Sequence, residues 1–255
     1  MLFNTSPDIL QQLKSNPDLQ PARSLRDTGI ACVVLMDAQI DHTTGLLMLR
    51  EHRQKLPVWC TQPVREDLSD GNPLFKVLEH YCGIDWHELT PNKELVDLSV
   101  AIPDITFTPV PLLSNAPPYS PHRDSPVPGD TVGMLMRDKQ SSKQVFYAPG
   151  LGQMEPHVWA AMQQASVVLI DGTLWTDDEM ITTGASKKTG QAMGHLAQSG
   201  EGGMIEWLDK LPVSTRKILI HINNTNPILD ENGAERATLA SHNIEVAYDG
   251  MDIIV

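Results

Sequence analysis

Gly29–Leu46 reads GIACVVLMDAQIDHTTGL, and its two halves decide the fold. The first half, through Met36, is almost wholly apolar and rich in Val. That composition suits a strand covered on both faces, and hence a sheet flanked by helices. The second half turns polar at Asp37 and sets Asp37, Gln39, Asp41 and His42 directly behind the strand, where ligands collect in open α/β sheets. Val167–Ile170 (VVLI) and Lys217–Ile222 (KILIHI) repeat the pattern. The first runs into Asp171-Gly172-Thr173; the second contains His221 and is followed by Asn223, Asn224 and Asn226. The three polar clusters are expected to converge.

Between these strands the spacing predicts helices over Thr44–His52, Pro73–Cys82, Glu155–Ala165, Met204–Leu211 and Ala234–His242. Near the start, Ser6 reads as an N-cap with Pro7 in the first helical position, opening a helix through Leu13, after Leu2–Asn4 as the tail of a strand. The proline-rich stretch from Pro103 to Gly129 predicts an extended edge strand and then a long surface loop. No repeat or composition shift marks a boundary, so residues 1–255 are expected to form a single α/β domain.

Composition narrows the partners. Of 255 residues, 41% are hydrophobic and 20% charged, ordinary for a globular protein and unlike a disordered or fibrous chain. Acidic residues outnumber basic ones 32 to 19, and the net charge of −13 repels phosphate backbones and anionic lipid. The sequence shows no basic cluster, so neither nucleic acid nor a membrane is expected as a partner. The longest apolar runs fall far short of the roughly 20 residues that cross a bilayer. Cys32, Cys60 and Cys82 form no CxxC pattern, and Met1 is not followed by a signal-peptide pattern, so a reducing cytoplasm is the expected location.

Asp41 and His42, on a turn entering a helix, can both point at one metal, and His221 in the apolar run ILIHI is the natural third donor. Asp, His and His form the facial triad that leaves coordination positions open on non-heme Fe(II). Zn²⁺ or Mn²⁺ can occupy the same donors. The residues alone also allow a plainer reading, in which His221 bonds a backbone carbonyl and Asp41 caps a helix.

The stretch DTGIACVVLMDAQIDHTTGL resembles the metallo-β-lactamase superfamily signature, an apolar strand leading into His-x-His-x-Asp-His. Asp37 and Gln39 stand where the first two motif histidines would be, while Asp41 and His42 match the last two. The resemblance implies that the first metal subsite is lost and the second, with a late histidine, is kept. It also implies an αββα sandwich of two mixed sheets with helices outside. Together with SPDIL, YSPHR, YAPGLGQ, IDGTLWTDDEM, MGHLAQSG and IHINNTNPILDE, the motif is similar to the coenzyme PQQ biosynthesis protein B family over essentially the whole chain. Members of that family carry a further N-terminal segment with the first strands and a cysteine-rich structural zinc site. This chain lacks them and is expected to be N-terminally truncated.

The family resemblance implies a role in making pyrroloquinoline quinone (PQQ). The implied reaction is Fe(II)- and O₂-dependent hydroxylation of the tyrosine ring in a cross-linked Glu-Tyr small molecule. Other proteins of the pathway are potential partners, and a homodimer is left open. Two alternatives stand beside it: a two-metal hydrolase, and a carrier that transports the cofactor or its precursor. Asp171 either binds metal or orients a ligand, unless it caps the turn at Gly172. His195 matches a histidine that relatives hold close to the metal, or else it is a helix cap. Tyr119, His122 and Arg123 in the proline-rich loop are candidates for the substrate carboxylates, since Arg binds carboxylate in a bidentate fashion. Asn223, Asn224 and Asn226 read mainly as turn builders, with one amide, Asn224, near the site.

Overall fold

Strands β1 (Leu2–Phe3), β2 (Val33–Val34), β3 (Leu56–Cys60) and β4 (Ile84–Glu88) pair side by side in that order, all parallel. The computed structural model describes residues 1–96, 98 and 102–255, which group into two compact units. This sheet belongs to unit 1, Met1–Thr90 with Ala116–Thr131; unit 2 is Pro91–Asn115 with Val132–Val255. Where a mixed sheet was expected, the described strands of unit 1 are parallel throughout. The reason is that every neighbouring pair is joined by a helical crossover and none by a hairpin. The crossovers are the helix Ile9–Ser15, then Ile40–Thr43 with the 3-10 turn Thr44–Leu49, then Gln62–Glu66, a π-helical turn Asp67–Gly71 and Leu74–Leu78.

The apolar run behaves as read: from Ile30 to Met36 every residue except Ala31 is buried. The ladder through it is shorter than expected. Val33 and Val34 pair with Leu2 and Phe3 on one side and with Val58 and Trp59 on the other. Beyond them Asn4 turns left-handed (φ 58°) and its side-chain oxygen accepts the Met36 N–H at 2.9 Å, ending β1. Val33, Leu35, Leu46, Val58, Leu68 and Leu78 form the core of this unit. Ser6 and Pro7 do not cap the first helix as expected. They build a turn ahead of it, with Ser6 Oγ accepting from Asp8 N at 3.2 Å, and the helix begins at Ile9. The helix expected over Pro73–Cys82 is regular only from Leu74 to Leu78, because left-handed Gly83 (φ 74°) donates its N–H to Leu78 O at 2.9 Å and closes it.

Unit 2 holds a six-stranded mixed sheet, β5 (Ile105–Pro111), β6 (Val132–Asp138), β7 (Gln144–Ala148), β8 (Val167–Asp171), β9 (Arg216–Ile220) and β10 (Ile244–Val246), in spatial order β10-β9-β8-β7-β6-β5. β5 is an edge strand, as the prolines required: Pro109 and Pro111 cannot donate to a second neighbour. The helices Pro156–Gln164, Met204–Leu208 and Ala234–Ser241 lie in the crossovers between the parallel strands β7 to β10. Phe146, Val168, Ile170, Leu219 and Met204 anchor its core. Among the described residues no helix is long and apolar enough to cross a membrane.

Gly45 links the first strand to the turn that follows Asp41 and His42. Its N–H donates to Thr5 O at 3.0 Å, and an added Cβ would overlap the Ser6 carbonyl oxygen and stand 2.8 Å from that of Thr5. Both obstacles are backbone and cannot swing aside. Gly45→Ala should therefore cost about 3 kcal/mol of stability. Thermal unfolding of the two proteins checks it, and an unchanged midpoint would show that the Thr5–Ser6 segment yields.

Candidate metal centre

In unit 1 the residue behind β2 is Asp37, whose side chain is nearly inaccessible to solvent. Its backbone pairs with Thr131, its Oδ1 accepts the Gln39 N–H at 2.9 Å, and both carboxylate oxygens lie 2.8 Å from His42 Nδ1. A carboxylate only accepts, so Nδ1 carries the proton and the ring's lone pair sits on Nε2. His42 Nε2 is 4.0 Å from Oδ2 of Asp41, whose side chain is 61% exposed. The short helix Ile40–Thr43 produces this arrangement by turning Asp41 outward and His42 inward from adjacent positions. The sequence predicts both side chains aimed at one metal; the fold sets them side by side, Asp41 toward solvent and His42 toward the interior. The use of Asp37 to orient His42 was missed; its signal was the Asp37–His42 spacing across a turn.

In unit 2, Asp171 closes β8 with no solvent exposure. Its Oδ2 accepts the Leu151 N–H at 3.0 Å and lies 2.6 Å from His195 Nδ1. Its Oδ1 accepts from Thr173 N at 3.0 Å and from Thr173 Oγ1 at 2.5 Å. Burial alone would push this carboxyl's pKa up. The His195 ring hydrogen-bonded to it, followed by the His221 ring 3.7 Å away, outweighs burial and holds the group well below the usual carboxylate range. Since the threonine's single proton goes to the charged acceptor, His221 Nδ1 donates to Thr173 Oγ1, at 2.7 Å. Both imidazoles therefore carry their lone pair on Nε2, and their rings stack 5.6 Å apart at 21°. One ligand atom from each of Asp171, His195 and His221 falls within 4.8 Å of the others, a donor set fit for a divalent transition metal.

His221 is not inside its strand. β9 ends at Ile220, and His221 follows in the left-handed region at φ 55°. A non-glycine residue there costs roughly 1–2 kcal/mol, a strain found most often where a side chain must be aimed. Asp171 does not act merely as a turn cap, and Thr173 is the residue that ties it to His221. Gln198, also missed, donates to the Asp171 carbonyl at 2.9 Å.

The Beta-lactamase superfamily domain matches residues 1–222. Coenzyme PQQ synthesis protein B of Azoarcus sp. (strain BH72) is 67% identical over 251 residues, 98% of this chain and 82% of that protein. This chain belongs to the coenzyme PQQ synthesis protein B family. The member from Nitrosococcus oceani is 58% identical over all of this chain and 84% of its own length. Among solved structures, the Zn(2+)-bound PqqB from Methylobacterium extorquens matches with a TM-score of 0.88 at 30% identity, over 100% of this chain and 83% of that one. The α/β class and the metallo-β-lactamase superfamily expected from the motif are thereby established for this family member.

The remaining candidates lie on two loops. In unit 1 the Tyr119 hydroxyl donates to the Ala38 carbonyl, one residue past Asp37, and Arg123 donates to Ala116 O at 2.5 Å. In unit 2 Asn224 is exposed, while Asn226 is buried and builds the turn, donating to Gly172 O at 2.9 Å and capping Pro227–Leu229. His122 Nδ1 lies 2.9 Å from Asp130 Oδ1, and the hydrogen bond to that buried carboxylate raises the imidazole's pKa above 6.5. A histidine with a raised folded pKa adds stability that is fully present below its unfolded value and is lost as pH rises through the folded one. An NMR titration should place His122 above 6.5, and Asp130→Asn should return it toward that value. A midpoint unaffected by Asp130→Asn would dismiss the pair.

Proposed function

We propose that the chain acts in PQQ biosynthesis as a non-heme iron oxygenase, hydroxylating the tyrosine ring of the cross-linked Glu-Tyr precursor in the cytoplasm. Asp41, His42 and His221 would hold one Fe(II), with Zn²⁺ or Mn²⁺ able to replace it. On this reading residues 1–255 work as one domain, alongside other proteins of the pathway.

The observation that carries the reading is the commitment of Asp37. A two-metal hydrolase of this superfamily uses imidazoles at positions 37 and 39 for its first subsite. Here Asp37 spends both oxygens on His42 Nδ1, and position 39 is Gln. One metal with three protein ligands leaves about three positions for dioxygen and substrate, whereas hydrolysis on this fold uses two metals to activate water and hold the leaving group.

The protein's own groups have distinct parts. Asp37 keeps His42 Nε2 as a ligand nitrogen, and Thr173 does the same for His221, since a ligating histidine keeps its orientation through the hydrogen bond of its other nitrogen. His195, held by buried Asp171, borders a cleft also lined by Asp177, Gln191, Ser199 and Glu201, where it is placed to take or return a proton at Nε2. His122, drawn toward its charged form by Asp130, joins Tyr119, Arg123 and Asn224 in binding a substrate rich in carboxylates.

Anaerobic reconstitution should give one equivalent of tightly held iron, and substrate turned over under isotope-labelled dioxygen with an added two-electron reductant should gain one labelled oxygen, the other leaving as water. Two zinc ions with hydrolysis would favour the hydrolase instead; no metal with tight cofactor binding would favour the carrier. His221→Ala should abolish Fe(II) binding while the far-UV circular dichroism is retained, and unchanged iron affinity would remove His221 from the ligand set. The double change Asp37→His with Gln39→His should recruit a second metal and lower hydroxylation, because it both opens the first subsite and releases His42. More hydroxylated product from that variant would sink the mononuclear reading.

A further inference from the structure

The chain's net charge of −13 conceals a cationic cleft in unit 1. Arg50, Arg53 and Lys55 line it from the segment leading into β3, and Arg26, itself left-handed at φ 57°, joins them from the loop before β2. The sequence predicts no basic cluster, yet Arg50, Arg53 and Lys55 fall within six consecutive residues, and the fold adds Arg26 to them. Tyr81 and Cys82 complete the wall, with the Arg50 guanidinium 6.0 Å from the Tyr81 ring centre. Glu51 is the carboxylate in the lining, 3.1 Å from Arg26 and 3.9 Å from Arg50. Arg53 and Lys55 are exposed and form no ion pair among the described residues. Nearby Glu79 has Oε1 turned to the Ile84 N–H, 3.3 Å away.

The cleft continues into a recess lined by Leu13, Ile30, Met48, Leu49 and Leu56 together with Gln20, Thr28 and Asp27, whose carboxylate is paired with Arg23 at 2.8 Å, and the two share Arg26, Glu51 and His52. Ile30 precedes β2, Leu56 opens β3 and Cys82 precedes β4, so the feature sits at the amino ends of the parallel strands. Asp37, Asp41 and His42 follow the carboxyl end of β2, at the other end of the same sheet.

We infer that this cleft docks an acidic segment of a partner protein, in which several Glu or Asp side chains flank one bulky apolar residue. The four cations meet the carboxylates and the recess takes the apolar side chain, an aliphatic anchor within a charged rim. A free inorganic anion leaves the recess unused. A nucleic-acid backbone spreads its phosphates over a surface whose overall charge repels them. This inference stands apart from the proposed hydroxylation, since none of the residues lining the cleft belongs to that chemistry.

Fluorescence anisotropy tests it with the full 255-residue chain and a fluorescein-labelled peptide of four glutamates around a central leucine. Binding should weaken about tenfold when salt rises from low to physiological ionic strength, as expected for partly screened surface charges. Arg53→Glu with Lys55→Glu should weaken it about tenfold or more, whereas the same reversal at exposed Lys187 and Lys188 should not. Replacing the peptide's leucine by serine should weaken it several-fold. The inference fails if the peptide binds no better than a neutral one, or if both charge reversals act equally. It fails too if serine makes no difference, or if inorganic phosphate or a single-stranded oligonucleotide displaces the peptide at equal charge concentration. Wild-type thermal midpoints in both double variants exclude misfolding as the cause.

Discussion

A carboxylate removed completely from water must be matched charge by charge and lone pair by lone pair, and Asp171 sets that demand for unit 2. Its two oxygens gather Leu151 N–H, Thr173 N–H and Oγ1–H, and His195 Nδ1–H, while His221 is reached through the threonine. These groups come from the loop after β7, the turn after β8, the segment after the short helix Gly190–Met193 and the end of β9. One buried charge thereby ties four separate chain segments into a single arrangement. Breaking a pairing of this kind leaves an uncompensated charge in the interior, which costs about 3–5 kcal/mol. The strained φ of His221 is a smaller cost borne within that larger constraint.

Unit 1 uses the same device independently. Asp37 is to His42 what Asp171 is to His195: a buried acceptor that puts the proton on Nδ1 and the lone pair on Nε2. The motif's departure from His-x-His-x-Asp-His is therefore a change of role and not a mere loss. A position that the superfamily motif gives to histidine supplies, in this chain, the hydrogen bond that holds the His42 ring.

The α/β class, the buried run from Ile30 to Met36 and the edge strand at Ile105–Pro111 were all legible in the sequence. They follow from composition and short-range spacing, where period, proline and burial leave few choices. The superfamily motif and the family strings were legible for the same reason, being contiguous residues. What the sequence left open depends on groups far apart in the chain. Thr173 between Asp171 and His221, Gln198 on the Asp171 carbonyl, and Arg26 on Glu51 are contacts across tens of residues or between loops. No local pattern encodes them, because they arise only when strand order and crossovers bring the loops together. Even His221, singled out as a polar residue in an apolar run, owes its place to tertiary structure: the strand stops one residue earlier, and a left-handed backbone turns the ring toward Thr173. Residue chemistry determined which side chains were able to act, and the folded backbone decided which nitrogen of each ring carries the proton, since that is set by the partner in space and not by the neighbour in sequence.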